Sequence, residues 1–458
     1  MKRSFSLSVA SLALLPLLAV PAFAGPEDIV PRQHPVYDVL AASDASLWRG
    51  DVQLTRREVK ERLEKLERTD DLVQTLRREF GATVTAKGEP LKVSGQLQVR
   101  SGSPSRGSLS AGFGQAVVQL QGGYGRTAVE SAYAVIPWRV LDITVGKKPL
   151  RWGPGFTGGL LVGDAATSIP QLSVEKSFSA GRHLGRWRFT QFYGQSFEED
   201  LPSAPATSRG TRRHIGGRRL ETDGSGPWNL ALSESFKATR FPTPFFSQTL
   251  PYYVYQNDWT ATSKDRWLPF SSAGARQPDS FWFNYQFDVA MSYRDPQSGV
   301  VGYADYLLDD IKAPEGLGRD GRVPPRTGRL FGVRIPSKNL DTRLEWAKLD
   351  ALTYFNASPP LSWERGGSPL GYSYGGNVRA LFARFDAKVS ERDGVAIELR
   401  SARPITTTPE QPAPVPERDE RITVFAHRKL NQNQLLGLKL EAARGRATRA
   451  DVFFGTTW

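Results

Sequence analysis

From Leu91 onward, apolar and polar residues alternate with a period of two, the spacing that sends successive side chains to opposite faces of a β-strand. Val93, Gly95, Leu97 and Val99 alternate with Ser94, Gln96, Gln98 and Arg100, and Ala116, Val118, Leu120, Gly122 and Tyr124 with Val117, Gln119 and Gln121. The longest run sets Phe281, Phe283, Tyr285, Phe287, Val289, Met291 and Tyr293 against Trp282, Asn284, Gln286, Asp288, Ala290, Ser292 and Arg294. Leu381, Ala383, Phe385, Ala387 and Val389 likewise oppose Arg384, Asp386, Lys388 and Ser390. Strands of a soluble sandwich average about five or six residues, and Phe281 to Tyr293 is too long for one. It suits a tilted strand crossing a bilayer, where about 9 to 11 residues span the hydrocarbon and aromatic girdles mark its edges.

Further strands are predicted at Trp187 to Phe197, Trp228 to Thr239, Val300 to Ile311, Leu330 to Pro336, Arg343 to Tyr354, Val395 to Arg400, Ile422 to Lys429 and Leu436 to Ala443. The pattern predicts an all-β fold over residues 89–458, a closed antiparallel transmembrane β-barrel of about 16 to 18 strands. Pro and Gly collect at Ala313 to Pro325, Ser358 to Gly376 and Arg403 to Glu417, which read as long outer loops.

The period differs over residues 34–80. Thr55 and Glu58 form a capping box whose side chains satisfy the free amides of a first helical turn. Val59, Leu63, Leu66, Val73, Leu76 and Phe80 then recur at mostly three- and four-residue spacing, opposite Lys60, Glu64, Glu67, Arg68 and Arg77. A short helical segment is therefore expected within residues 25–88. Two readings are open for it: a periplasmic cap on the barrel, or a small amphipathic helix packed on any sheet.

The N-terminus adds a compartment. Lys2 and Arg3 precede an apolar run from Phe5 to Val20 and then Ala22-Phe23-Ala24, the form of a secretory signal peptide (residues 1–24) cleaved after Ala24. A membrane anchor fits less well, because Ser6, Ser8, Ser11 and Pro16 break a run already shorter than the roughly 20 apolar residues a spanning helix needs. At the other end Val452, Phe454, Thr456 and Trp458 share one face, which resembles the terminal-strand signal by which outer-membrane barrels are passed to the insertion machinery.

Composition fits that export route. With 39% hydrophobic and 11% aromatic residues, 43 Gly and 32 Pro, the chain suits strands that are polar on one face. It has no cysteine, which excludes a disulfide scaffold and thiol chemistry. The formal charge is +13, of which Lys2 and Arg3 supply two, and it admits outer-membrane lipid, lipopolysaccharide or acidic polysaccharide as partners. Nucleic acid is disfavoured, since the arginines are scattered and no nucleic-acid motif is present.

Between Gly146 and Ala165 the chain carries Arg151-Trp152-Gly153-Pro154-Gly155, then Gly158-Gly159-Leu160-Leu161-Val162-Gly163-Asp164-Ala165. Further on come Arg213-His214-Ile215, Arg218-Arg219-Leu220, the Asp309-Asp310 pair and Glu345-Trp346. Over roughly Val145 to Arg403 the chain resembles the capsule-assembly (Wzi-type) outer-membrane barrel family. Trp152, Gly153, Pro154 and Gly155 are its specific motif, and Asp164 stands where that family carries a Ser-Asn-Ala-like element. The resemblance implies a wide barrel with periplasmic helices and a lectin role at the cell surface, retaining capsular polysaccharide.

From the residues themselves, Trp152 offers either an aromatic platform for a sugar or an inward bend packing the barrel interior, the bend being the stronger reading because Gly-Pro-Gly chiefly solves a backbone problem. Arg213, His214, Arg218 and Arg219 fit anionic sugars through bidentate contacts or, equally, a salt-bridge network inside the barrel with Asp309, Asp310 and Glu345.

Catalytic chemistry is not indicated. His34, His183, His214 and His427 are dispersed, in no metal-ligand spacing and beside no nucleophile motif, so neither metal nor cofactor is expected. Asp309 and Asp310, as neighbours on a strand, point to opposite faces and make a poor acid/base pair. The sequence thus reads as a non-enzymatic outer-membrane surface protein that binds or tethers capsular or extracellular polysaccharide. The alternative is a porin-like passive channel.

Overall fold

The computed structural model describes residues 92–457, apart from the connections at 101–104, 114–115, 125–128, 139–140, 149, 164–168, 182–184, 198–211, 223–225, 239–282, 310–325, 356–361, 366–367, 407–417 and 432–433, together with Val59, Leu63 and Glu64. For residues 92–132 the description is of backbone alone.

The strands are β1 (Lys92–Arg100), β2 (Ser105–Phe113), β3 (Ala116–Tyr124), β4 (Val129–Trp138), β5 (Leu141–Lys148), β6 (Ile169–Ser179), β7 (Arg186–Phe197), β8 (Arg212–Thr222), β9 (Trp228–Ala238) and β10 (Phe283–Arg294). They continue as β11 (Val301–Asp309), β12 (Thr327–Pro336), β13 (Leu340–Leu349), the two-residue pieces β14 (Glu364–Arg365) and β15 (Ser368–Pro369), β16 (Val378–Lys388), β17 (Asp393–Pro404), β18 (Asp419–Asn431), β19 (Gln434–Ala443) and β20 (Arg449–Thr457). Eighteen of them form one antiparallel sheet, and β14–β15 is a separate hairpin. Each sheet strand pairs with its neighbours in the chain, β13 pairing with β16. The first strand also pairs with the last, in the register Gln96↔Thr457 to Arg100↔Phe453. Every strand therefore has two partners and the sheet closes on itself, leaving no free edge.

Alternation sorts the two faces. Toward the lumen point Ser233, Ser235 and Lys237 of β9, Asn284, Gln286 and Asp288 of β10, and Asp305 and Asp309 of β11, all buried. The opposite face exposes Leu172, Trp228, Met291, Phe331, Leu344, Leu381, Ile397, Ile422, Leu438 and Val452, several of them half-exposed, Trp228 reaching 60%. In water each such side chain forgoes on the order of 1 kcal/mol of burial, and a belt of this extent has no place on a monomeric soluble protein. The polarity is that of a soluble barrel turned inside out.

The connections are uneven. At one end they are short, as at 139–140, 180–185, 295–300, 337–339 and 389–392; at the other they include 149–168, 198–211, 239–282, 310–326, 350–377 and 405–418. Short turns on one rim and long loops on the other are the usual asymmetry of bacterial barrels.

Two expectations are corrected. The strand expected to run from Arg343 to Tyr354 ends at Leu349, because residues 351–354 turn and Tyr354 takes a positive φ of 70°. The segment 358–376, expected as an outer loop, folds inward where it is described, with Trp363, Leu370 and Tyr372 each 1% exposed. Of the expected N-terminal helix, Val59, Leu63 and Glu64 have helical backbone, with Val59 and Leu63 buried and Glu64 exposed; its remainder lies outside the described residues, as do Asp164, Asp310, Phe281 and Trp282.

Candidate functional site

Two stretches between strands leave the wall at the long-loop rim and enter the lumen: residues 150–163 after β5, and the described parts of 350–377 after β13. The first doubles back as a hairpin, with Trp152 N donating to Val162 O at 2.8 Å. Its tightness rests on glycine. Gly153 adopts φ 123°, and a Cβ on Gly159 would overlap the Trp152 carbonyl oxygen.

The two stretches pack on each other. Gly163 N donates to Leu370 O at 2.8 Å, Trp363 Nε1 to Leu161 O at 2.6 Å, and the Tyr354 hydroxyl to Leu160 O. Leu160, Leu161, Trp363, Leu370 and Tyr372 join Leu307, Leu330 and Val378 of the wall in one apolar cluster. The inward segments thereby pack against the inner wall from β7 to β16.

Irregular backbone inside a barrel leaves N–H and C=O groups without ladder partners, and each buried unpaired group is costly. Charged side chains of the wall take up that role. Glu345 of β13 accepts from Phe156 N (2.5 Å), Thr157 N (3.1 Å), the Thr157 hydroxyl and the Tyr303 hydroxyl (2.8 Å). Asp305 accepts from Leu160 N at 3.2 Å, and Asp309 from Tyr354 N and from Gln286 Nε2. From β9, two strands along the wall from β11, Lys237 donates its ammonium to the carbonyl oxygens of Ser362 (3.1 Å) and Glu364 (2.8 Å).

The residues singled out in the sequence separate here. Trp152 is 5% exposed, edge-on to Phe192 at 5.3 Å between ring centres, and a Cβ on Gly217 would lie 2.9 Å from its indole. The ring thus packs inward, with Gly153, Pro154 and Gly155 buried behind it. Since Gly217 faces the lumen, alternation along β8 places Arg213 and Arg219 on the same side, and His214 and Arg218 on the other. Arg219 binds Glu221 (2.8 Å) and Ser233; Arg188 also reaches Glu221 (2.8 Å) and Glu175 (3.3 Å). Arg218 pairs with Glu234, which also accepts from the Tyr285 hydroxyl, and His214 Nδ1 is hydrogen-bonded to the Tyr193 hydroxyl. Arg218 and Glu234 face each other in register across β8 and β9, and Glu221 lies two residues from Arg219 on β8. Of the acids expected in this network, Asp309 and Glu345 accept hydrogen bonds from the main chain of the inward segments.

Beside the plug, the wall of β16 to β19 carries a half-exposed run of charge pairs: Arg384 with Asp386 and Glu398, Arg400 with Glu398, Arg421 with Asp419 and Glu441, and Lys439 with Glu441. Arg384 also lies over the rings of Phe156 (5.7 Å) and Phe425 (5.5 Å), and Arg400 over Phe382 (5.6 Å). At the long-loop rim Tyr374 of the plug donates to Asp419 at 2.8 Å, which forms a shelf of Tyr374, Arg400, Asp419, Arg421 and Glu441. Partly buried and hydrogen-bonded to Asp419, the Tyr374 phenol is pushed up to about 12. The shelf was not among the sequence candidates, although charges at every second position of β16 to β19 marked that face.

No family model matches the sequence, and no curated protein matches it. Among solved structures, the fold is shared with Wzi, described as an outer membrane protein involved in group 1 capsule assembly in Escherichia coli and a carbohydrate-binding β-barrel: 16% identity, TM-score 0.64, 95% of this chain and 99% of that one. OccK11 (OpdR) of Pseudomonas aeruginosa aligns at 8% identity and TM-score 0.43 over 80% of this chain and 95% of its own. A mutant of the Rh. blastica porin aligns at 12% identity and TM-score 0.36 over 81% and 100%. The likeness to Wzi is one of fold, extending over nearly the whole of both chains.

Proposed function

We propose that this chain is an outer-membrane surface protein that binds or tethers capsular or extracellular polysaccharide and performs no reaction on it. Residues 1–24 direct export and are removed, residues 25–88 form a periplasmic helical segment, and residues 89–458 form the barrel. Lipid meets the apolar belt, lipopolysaccharide meets the long-loop rim, and the terminal strand engages the insertion machinery.

The observation that carries this reading is the packing of residues 150–163 and the described parts of 350–377 inside the barrel, anchored by Glu345, Asp305 and Lys237. These inward segments narrow the bore. A binding protein gains a rigid platform at the face turned to the medium, in line with the carbohydrate binding that names Wzi. The surface assigned to the glycan is the shelf of Tyr374, Arg400, Asp419, Arg421 and Glu441, which combines an aromatic ring with donors and acceptors for hydroxyl and carboxylate groups. Trp152, Arg213 and Arg219 serve it as parts of the interior; His214 and Arg218 face away from it.

A passive channel is the second reading, favoured by the half-exposed charge pairs of β16 to β19. Planar-bilayer conductance and capture of purified capsule, measured on the same detergent-purified protein, separate the two. Binding without a large stable conductance is expected, with capture reduced by Arg400→Ala combined with Arg421→Ala; a steady open pore that retains no polysaccharide overturns the assignment. In cells, deletion of the gene is expected to move polysaccharide from the cell-bound to the shed fraction.

A further inference from the structure

On the outside of the barrel, at the long-loop rim between β17 and β19, Glu420 is surrounded by three arginines. It accepts from Arg403 Nε at 3.0 Å, Arg418 Nη2 at 2.6 Å and Arg444 Nη1 at 3.1 Å, and Arg444 N also donates to its main-chain oxygen at 2.9 Å. Alternation fixes the side. Ile397, Leu399 and Ile422 point outward, so Arg403 and Glu420 do too, and Arg418 and Arg444 continue the outward positions of β18 and β19.

The charges do not balance. Three guanidinium groups, each with five N–H donors, share a single carboxylate, and among the described residues they have no other ion partner. Their side chains are 58%, 43% and 61% exposed, against 24% for the Glu420 side chain they enclose. Among the described residues the cluster carries two surplus positive charges, and its guanidinium groups are largely exposed. Directly below it a shallow cavity of about 460 Å³ runs down from Arg403, Glu420 and Arg444 to Leu399 and Ile422.

At the opposite edge of the same sector the picture differs. Asp393 and Arg428 form a one-to-one pair at 2.7 Å, leaving no net charge. From Asp393 to Arg403 the strand rises about 34 Å at roughly 3.4 Å per residue, or about 26 Å along the barrel axis at a tilt of about 40°. That matches an apolar band about 25 Å tall. The cationic cluster and the one-to-one pair therefore mark the two interfaces of one membrane-facing strip.

We infer that Arg403, Arg418 and Arg444 form a binding site for the phosphorylated headgroup of a glycolipid in the outer leaflet, with Glu420 holding the three guanidinium groups in place and the acyl chains lying against Leu399, Ile422 and Leu440. Planar guanidinium donors match phosphate oxygens in bidentate geometry. A basic cluster at the headgroup level above an apolar wall recognises an anionic amphiphile, where a soluble anion would engage only half of it. The assignment rests on the orientation proposed above, with the long loops outside.

The test uses detergent-purified full-length protein, titrated in native mass spectrometry with bis-phosphorylated lipid A, with its dephosphorylated form and with phosphatidylglycerol. Lipid A is expected to bind at least about tenfold more tightly than either of the other two, a difference of about 1.4 kcal/mol. In the Arg403→Ala, Arg418→Ala, Arg444→Ala triple variant that preference is expected to disappear while the heat-modifiable electrophoretic mobility of the folded barrel is kept. Equal binding of the three lipids by the wild-type chain overturns the site, and this comparison needs no variant. A preference for lipid A that survives in the folded triple variant also overturns it. Failure of the membrane reading on which the assignment rests shows separately: protein that remains monodisperse without detergent refutes it.

Discussion

Lys237 and Ser362 are joined across the lumen: the ammonium of a fully buried lysine on β9 donates to a main-chain carbonyl oxygen 125 residues away, at 3.1 Å. A lysine is seldom buried to this degree unless its charge is met. Here carbonyl dipoles of the inward segment help to meet it, and the segment is tied in return.

Lys237→Met keeps the volume and removes the donors. Leaving the Ser362 and Glu364 carbonyl oxygens short of a partner costs about 1 to 3 kcal/mol per group. Hydrogen exchange over residues 368–377 is expected to accelerate while the strand amides stay protected; unchanged exchange there would show that the lysine does not hold the segment.

Glu345→Gln is the complementary change. The carboxylate accepts from two amides and two hydroxyls, and a carboxamide turns an NH2 toward donors that need an acceptor. The expected loss is about 2 to 4 kcal/mol of local stability, combining a charged hydrogen bond with an unsatisfied donor, seen in planar bilayers as brief openings absent from the wild type. A silent trace would count against Glu345 as the anchor.

Gly159→Ala and Gly226→Ala form a matched pair. At Gly159 a Cβ meets the Trp152 carbonyl oxygen, whereas at Gly226 it meets nothing within 4 Å. Limited proteolysis is expected to cut the first variant between residues 150 and 163 and to leave the second like the wild type. Equal resistance would mean that the hairpin tolerates a wider turn.

Tyr374 gives a pH dependence. Its folded value of about 12 lies above the usual phenol value, so the stability its protonated form contributes is complete below about 10, the unfolded value. That contribution is lost as pH rises through about 12. In an alkaline ultraviolet titration, Tyr374→Phe is expected to remove one late-ionising phenol, and capture of polysaccharide by the wild type is expected to hold up to about pH 10. A number of late-ionising phenols unchanged by the substitution would place Tyr374 in solvent.

The wall was legible because a membrane strand repeats its instruction at every second residue: Phe283 to Arg294 and Val378 to Lys388 announce both their faces and their lengths. Strand β8 escaped individual prediction, since Gly216 and Gly217 interrupt the apolar positions and the arginines fall on both faces. The plug was hidden for another reason. Gly- and Pro-rich composition is the same whether a connection hangs outside or turns inward, and what decides is a partner far off in sequence. Phe156 meets Glu345 across 189 residues, a separation that no local pattern encodes. Glu345, Arg213 and Arg219 were visible as charged candidates for the interior, but that Arg218 faces away, and who pairs with whom, depends on register and ring order.

The seam between β1 and β20 has a consequence for manufacture. Gln96 cannot find Thr457 until all eighteen sheet strands have been made, so each shorter length of chain keeps two unsatisfied rims that invite aggregation. The cell must therefore escort a still unclosed ribbon, and a chain stopped before Arg449 would leave β1 with β2 alone and β19 with β18 alone.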